Sequence, residues 1–127
     1  MNSMCNNVLG KKNWIIPDCE LPKPGEGVAK GHESVIIVND SDVDAEINVE
    51  IFFTDKDPYT DIKWTVGAKR VKCFRMNNLE HMCGFEVPFE TQYAMKISSS
   101  TPIVLQYGRL DNTQANLAFY TTLGYSE

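Results

Sequence analysis

The sequence has no long apolar run and no closely spaced pair of cysteines. No stretch approaches the roughly 18 apolar residues of a membrane-spanning helix, and the N-terminal MNSMCNNVLGKKNW lacks the apolar core of a signal peptide. The four cysteines, at positions 5, 19, 73 and 83, do not fit a C-x2-4-C zinc site, so we expect free thiols, with Cys73 in the core. These absences predict a soluble, cytoplasmic protein that needs no metal or other cofactor.

The motifs of common catalytic sites are also absent. The chain has no G-x-S-x-G nucleophile elbow, no G-x-G-x-x-G fingerprint and no P-loop. A metal-dependent enzyme of the jelly-roll type would have to use His32, Glu33 and His81, and these residues form an incomplete ligand set. We therefore expect a protein that is not an enzyme.

The charge balance argues against nucleic acid as a partner. The chain of 127 residues carries a formal net charge of -5, whereas proteins bind a phosphate backbone through clustered Lys and Arg. Basic residues cluster only between Lys69 and Arg75.

The apolar content of 43% is typical of a globular domain. We expect residues 14–127 to form this single domain and residues 1–13 to be a poorly ordered N-terminal extension.

Hydrophobic periodicity predicts strands along most of the chain. In AEINVEIFF (residues 45–53), apolar and polar side chains alternate, which is the period of a strand with one buried face. Similar patterns occur in IKWTV and TQYAMKIS, and no stretch shows a convincing helical stripe. The seven or eight strands predicted in this way indicate an all-β fold, an antiparallel β-sandwich or a jelly-roll-like single domain.

Turn-forming residues predict how the strands connect. SVIIVN (residues 34–39) runs into the turn-rich residues 39–42 and then into residues 45–53, which predicts an antiparallel hairpin. Pro102 is expected to open a new strand. The proline- and glycine-rich residues 17–31 are expected to form a loop, and loops of this length are often functional.

The segment PIVLQYGRLDNTQAN (residues 102–116) ends an apolar strand with many hydrogen-bonding groups. Alternation places Tyr107 and Arg109 on one face and Gln106 on the other, unless Gly108 forms a bulge that redirects the arginine. An arginine at the end of an apolar face needs a carboxylate, and the candidates are Asp111, Glu33 and Asp55. These polar groups serve either the structure or a bound polar ligand.

Several motifs, in order along the chain, resemble those of the sensory rhodopsin transducer family of small soluble all-β proteins. They are W-x-x-P at Trp14 and Pro17, HESVIIVN, FFTDKDP, VGAKRVKCFRMNNL and PIVLQYGRLDNTQANLAFYTTLGY. The N-terminal dozen residues and EHMCGFEVP depart from the pattern. The residues that match the family motif are His32, Glu33, Asp55, Arg70, Arg75, Asn77, Gln106, Arg109, Asp111 and Gln114.

The resemblance implies a β-sandwich protomer that assembles as a homotetramer and acts as the soluble partner of a membrane receptor, a seven-helix photoreceptor. Because the family also occurs in cells without rhodopsin, the resemblance does not identify the receptor. Two segments with few polar positions, residues 104–110 and 117–123, suggest surface buried between protomers. We therefore expect a non-enzymatic signalling or adaptor protein that acts as a homo-oligomer.

The alternative is a module that binds a sugar or another polar small molecule. Sugar sites combine hydrogen-bonding side chains with an aromatic platform. The chain offers Trp64, Tyr107 and Tyr120 as aromatic neighbours. The candidate ligand-binding residues are Glu33, Asp55, Arg75, Asn77, Gln106, Arg109 and Asp111.

Overall fold

The chain folds into eight β-strands, as seen in a computed structural model that describes residues 7–25, 30–112 and 118–127. Gln114, one of the family-motif residues, lies outside the described residues. None of the described residues belongs to a helix that could cross a bilayer. The strands are β1 (Lys11–Glu20), β2 (His32–Asn39), β3 (Ala45–Phe53), β4 (Tyr59–Val66), β5 (Arg70–Arg75), β6 (Gln92–Asp111), β7 (Ala118–Thr122) and β8 (Tyr125–Ser126).

The strands form two antiparallel sheets that share β6. The first sheet has the order β4-β3-β6-β1-β8, and the second has β5, β2, the later half of β6 and β7. The buried apolar side chains form one cluster to which both sheets contribute, for example Ile47 from β3 and Ile37 from β2. The predicted all-β sandwich is confirmed.

The long strand β6 corrects the prediction that Pro102 opens a strand. It runs unbroken from Gln92 to Asp111. β3 pairs with β6 up to Ser99 and β2 pairs with it from Val104, so Pro102 lies where the strand passes from one sheet to the other. Because proline has no N–H to donate, it is tolerated inside a strand where no ladder bond is required.

β2 and β3 do not form the hairpin predicted for them. β2 pairs with β5 and β6, whereas β3 pairs with β4 and β6, so their connection crosses from the second sheet to the first. Asn39 is buried at this crossing, and its Nδ2 donates to the carbonyls of Val43, Val66 and Gly67. The turn-forming residues correctly mark the end of β2, but the chain does not reverse there, because β2 and β3 both run antiparallel to β6 and follow it one after the other.

The predicted alternation gives the buried faces of β3 and β6 correctly, but the prediction for Cys73 is wrong. In β3, Ile47 and Val49 are buried. Cys73 is exposed because it pairs with Ile36 on the outer face of the second sheet, while Cys19 in β1 is the buried one of the three cysteines that the structure describes.

β1 begins and ends within segments for which no strand was predicted. Its residues 11–13 belong to the predicted N-terminal extension, and its residues 17–20 belong to the predicted loop. Its pairing with β6 shifts register between Ile16 and Cys19. This irregular stretch of β1 lies beside the polar cluster described next.

Candidate functional site

Polar side chains are buried where β1, β2 and β6 meet. At the centre is Glu33 in β2, whose surface is 0% exposed. Glu33 lies opposite Arg109 in the ladder between β2 and β6, so the two side chains share one face of the second sheet. We refer to Glu33, Tyr93, Tyr107 and Arg109 as the carboxyl cluster.

Three donors reach the carboxyl group of Glu33. The Tyr93 hydroxyl donates to Oε1 at 2.5 Å, and the Tyr107 hydroxyl donates to Oε2. The backbone N–H of Glu20 in β1 also donates to Oε2, at 2.8 Å. A buried carboxyl without such partners would be strongly destabilising. One side chain in β2 is thereby bonded to β1 and to both halves of β6.

Arg109 reaches this carboxyl group through a tyrosine. Its Nε donates to the Tyr107 hydroxyl at 3.2 Å, and its guanidinium carbon lies 5.2 Å from the ring centre of Tyr120 in β7. A guanidinium over an aromatic face is held by electrostatic attraction. Within the described residues, the buried Nη2 of Arg109 has no acceptor. The guanidinium therefore keeps a donor that these residues do not use.

Burial dominates the protonation behaviour of the carboxyl cluster. It raises the pKa of Glu33 above its ordinary value of 4.5, and the hydrogen bonds from Tyr107, Tyr93 and Glu20 lower it only partly. Burial is also the largest cause that raises the pKa of Tyr93 and of Tyr107, and the charge of Glu33 raises both further. Both phenols therefore keep their protons and act as donors.

A cleft of about 320 Å³ lies beside the cluster. Tyr120 lines this cleft and also packs against the Arg109 guanidinium, so it separates the cleft from the cluster. The remaining walls come from residues 16–18 of β1 and from the connection between β7 and β8, with Asp18 and Tyr125 among them. The cleft can offer aromatic surface, a carboxylate and a hydroxyl to a ligand.

The predicted ligand-binding residues do not converge on one pocket. Glu33 and Arg109 lie together, and the predicted neighbours Tyr107 and Tyr120 flank Arg109. The other predicted residues lie elsewhere: Gln106 on the outer face of β6, Asp55 in the exposed turn after β3, Arg75 at the end of β5, Asn77 in the turn that follows, and Asp111 at the end of β6. Trp64, the third predicted aromatic neighbour, stacks on Phe74 instead.

Gly108 does not form a bulge, which was the alternative to a regular strand. The ladder between β2 and β6 keeps its register from Leu110 to Val104, and the ladder between β6 and β7 is equally regular. Arg109 therefore stays on the face of Tyr107, and Gln106 stays on the opposite face. The alternation predicted for a regular strand is confirmed.

Sequence reasoning missed two members of this region, Tyr93 and Cys19. The alternation in TQYAMKIS places Tyr93 with Met95 and Ile97 on one apolar face, although a buried tyrosine hydroxyl needs a hydrogen-bond partner. That requirement was the available indication of a nearby acceptor. Cys19 is buried, and burial together with the nearby charge of Glu33 raises the pKa of its thiol.

The structure does not assemble a metal-binding set from the described residues. No three His, Cys, Asp or Glu side chains among them are placed to hold an ion. His32 and His81 lie on different elements, the start of β2 and the turn after β5, and Glu33 points into the carboxyl cluster.

Comparison with known proteins now identifies the family. The family model described as Anabaena sensory rhodopsin transducer matches residues 9–126. This chain belongs to that family. None of the curated proteins compared with it matches.

Several solved structures share the fold. The crystal structure of Thermotoga maritima 1070 superposes with a TM-score of 0.83 at 28% identity, covering 93% of this chain and 96% of that one. The Anabaena sensory rhodopsin transducer superposes with a TM-score of 0.68 at 34% identity, covering 80% of this chain and 90% of that one. The family predicted from the motifs between Trp14 and Tyr125 is therefore confirmed.

Proposed function

We propose that this protein is a non-enzymatic signalling adaptor that acts as a homo-oligomer, as a tetramer in the first instance, and receives its signal from a membrane receptor. Membership of the transducer family is the observation that carries the signalling role. The solved relative from Anabaena is named a transducer of sensory rhodopsin. A receptor encoded beside this chain's gene is the partner to test, by binding of the purified chain to that receptor in lipid nanodiscs.

The outer face of the second sheet supports self-association. Ile36, Val38 and Val71 are 37%, 39% and 65% exposed, and register places Val38 beside both Val71 and Val104. We call Ile36, Val38, Val71, Cys73 and Val104 the outer apolar face. An exposed apolar patch on a protein surface often marks a protein–protein interface, and a symmetric oligomer buries the same patch on each copy.

Light scattering on the purified protein tests the oligomer directly. A homo-oligomer would keep a mass several times that of the protomer at micromolar concentration. A monomer at that concentration would overturn the assembly part of the proposal. The receptor part is tested separately, because a monomer could still bind the receptor in nanodiscs.

The cleft beside Tyr120 favours a second candidate function, binding of a sugar or another polar small molecule. Its aromatic side chains are accessible, Tyr120 at 44% and Tyr125 at 66%, and Asp18 lines the same cleft. Such a site can stack a sugar ring and accept hydrogen bonds from its hydroxyls. A ligand present at 100 times its Kd should add about 2.7 kcal/mol to stability in a thermal-shift screen. If no sugar in a broad panel raises the unfolding temperature, only the proposed adaptor role remains.

A further inference from the structure

A second cleft lies at the opposite edge of the sandwich, between β4 and β5. Its volume is about 260 Å³, and its walls come from residues 63–65 of β4, from Lys72 and Phe74 of β5, and from the turn at Glu80 and His81. It contains no member of the carboxyl cluster and no residue of the cleft beside Tyr120. Any ligand here would be independent of those sites.

The floor of this cleft is a fixed aromatic stack. Trp64 and Phe74 are parallel within 7°, with ring centres 4.1 Å apart. The indole Nε1 of Trp64 donates to the His81 carbonyl at 2.7 Å, and the His81 ring meets Phe74 edge-on at 5.7 Å. These contacts hold His81 in one orientation at the wall of the cleft.

The hydrogen bond of His81 determines which of its nitrogens is a donor. Its Nδ1 accepts the backbone N–H of Arg75 at 2.8 Å. Because an accepting nitrogen carries no hydrogen, the hydrogen of the neutral ring is assigned to Nε2. No described residue accepts from this Nε2. His81 therefore supplies an unused N–H donor at the cleft.

β4 contributes a backbone donor to the same cleft. The Cys83 Sγ bonds to both the N–H and the carbonyl of Lys63, at 3.4 Å each, so the backbone groups of Lys63 point away from β3. Backbone directions in an antiparallel strand repeat at every second residue. The N–H of Thr65 therefore also points away from β3.

Lys72 adds a positive charge that no described carboxylate neutralises. Its Nζ lies 5.1 Å from the ring centre of Phe74, on the aromatic floor. The ion pairs among the described residues join Lys23 to Glu90 and Lys69 to Asp40. The residues that line this cleft thus carry an ammonium group, an imidazole N–H and a backbone N–H, and all three are donors that suit an oxyanion.

We propose that the cleft between β4 and β5 binds a small molecule with a carboxylate or phosphate group, held by the His81 Nε2–H, the Thr65 N–H and the Lys72 ammonium. The carboxylate of Glu80 at the same cleft repels additional negative charge. A singly charged carboxylate should therefore bind more tightly than phosphate.

The two tryptophans allow a sharp test by NMR. The Trp64 indole lies at the proposed site, whereas the Trp14 indole donates to the Lys11 carbonyl in another part of the chain. Acetate and inorganic phosphate would each be titrated into nitrogen-15-labelled protein at constant ionic strength. We expect saturable shifts of the Trp64 indole and His81 ring signals with acetate, weaker binding of phosphate, and an unchanged Trp14 signal.

Matched variants separate binding from folding. His81→Asn keeps an acceptor oxygen for the Arg75 N–H but removes the Nε2–H donor, and Lys72→Gln removes only the exposed charge. Each should weaken binding by about tenfold or more, as expected for a lost hydrogen bond to a charged group, whereas Lys12→Gln should leave it unchanged. A wild-type chain with no saturable shift for either anion, or a folded Lys72→Gln variant that binds as well as wild type, would overturn the proposal.

Discussion

Tyr93 and Tyr107 lie near the two ends of β6, and both hydroxyls donate to the single carboxyl group of Glu33. The first tyrosine lies in the half of β6 that pairs with β1 and β3, and the second in the half that pairs with β2 and β7. Glu33 therefore connects the two sheets at the point where β6 passes between them. A change in this carboxyl group should affect the whole sandwich.

Removal of the Tyr107 hydroxyl should destabilise the fold. Tyr107→Phe leaves Glu33 without one donor and the Arg109 Nε without its acceptor. Hydrogen bonds to charged groups contribute about 1.5–3 kcal/mol, so we expect a loss of that order in the free energy of unfolding, measured by urea denaturation. Tyr125→Phe is the control, because its hydroxyl is on an exposed side chain. Equal stability of the two variants would contradict a structural role for the cluster.

The pH dependence of stability should identify Glu33. Burial raises its pKa in the folded chain above the ordinary value of 4.5, so the folded state holds this proton more tightly than the unfolded state. The resulting stabilisation is complete below the unfolded pKa and is lost as the pH rises through the folded pKa. The Glu33→Gln variant has no titratable group at this position. The stability advantage of the wild type over this variant should therefore shrink as the pH is raised from below the ordinary value of 4.5 toward neutral.

Urea denaturation of both proteins across this range measures the difference. Other carboxyl groups cancel in the comparison, including Asp40, whose pKa is lowered by the Leu9 N–H and by Lys69. An advantage that grows with pH would mean that the hydrogen bonds to the ionised form outweigh the burial of Glu33.

The fold was largely predictable because strand alternation is a local property. The buried face of β3 and the opposite orientation of Gln106 and Arg109 follow from a period of two residues, without knowledge of any neighbour. The carboxyl cluster was not predictable in this way. Its bonds join Glu33 to Tyr93 and Tyr107, which are distant in sequence, and no local pattern pairs a carboxyl group with a particular hydroxyl.

The connections between strands were predicted less well for a related reason. Asn39 lies in a segment of turn-forming residues, and such residues suit a hairpin and a sheet-to-sheet crossing equally well. The choice depends on the bonds of Asn39 to Val66 and Gly67, which lie on a different part of the chain. The prediction that Cys73 lies in the core failed for a similar reason. Its exposure depends on which elements cover each face of the sheet, and the local sequence does not show this.

The cysteines should differ in their rate of alkylation. The thiol of Cys19 is buried and its pKa is raised, first by burial and then by Glu33, so it should stay unmodified in the folded chain. Cys83 is exposed and should react. Peptide mapping by mass spectrometry after a short exposure to iodoacetamide distinguishes them. Modification of Cys19 as fast as that of Cys83 would mean that this part of β1 opens readily.

Cys73 reports on the outer apolar face in the same experiment. It is exposed in the protomer, beside Ile36. If copies of the chain pack on this face, Cys73 should react much more slowly than Cys83 at high protein concentration and faster on dilution. Equal rates for the two thiols at every concentration would place the oligomer interface elsewhere.

A charge on the outer apolar face should prevent assembly. Ile36→Lys places an ammonium group at the centre of this face, where an interface would have to bury it unpaired. We expect a lower mass by light scattering, with an unchanged circular dichroism spectrum. Val43→Lys is the matched control, because Val43 is 60% exposed in the connection between β2 and β3. A variant at Ile36 that keeps the wild-type mass would exclude this face as the interface.

The crossing between the sheets should depend on the amide of Asn39 rather than on its size. Asn39 donates through Nδ2 to three backbone carbonyls, and its Oδ1 accepts from the N–H and hydroxyl of Ser41. Asn39→Asp keeps the acceptor but turns a carboxylate oxygen toward three carbonyl oxygens. A buried polar group that loses its partners costs about 1–3 kcal/mol, and more when it is charged.

We therefore expect Asn39→Asp to lose at least this much stability in urea, and to recover part of it at low pH, where the new carboxyl group is protonated and can donate one hydrogen. Asn48→Asp is the control, because Asn48 is exposed and its Oδ1 already accepts from the Lys63 ammonium at 3.0 Å. If both variants unfold at the same urea concentration, the crossing is held by the packing of β2 and β3 and not by the Asn39 amide.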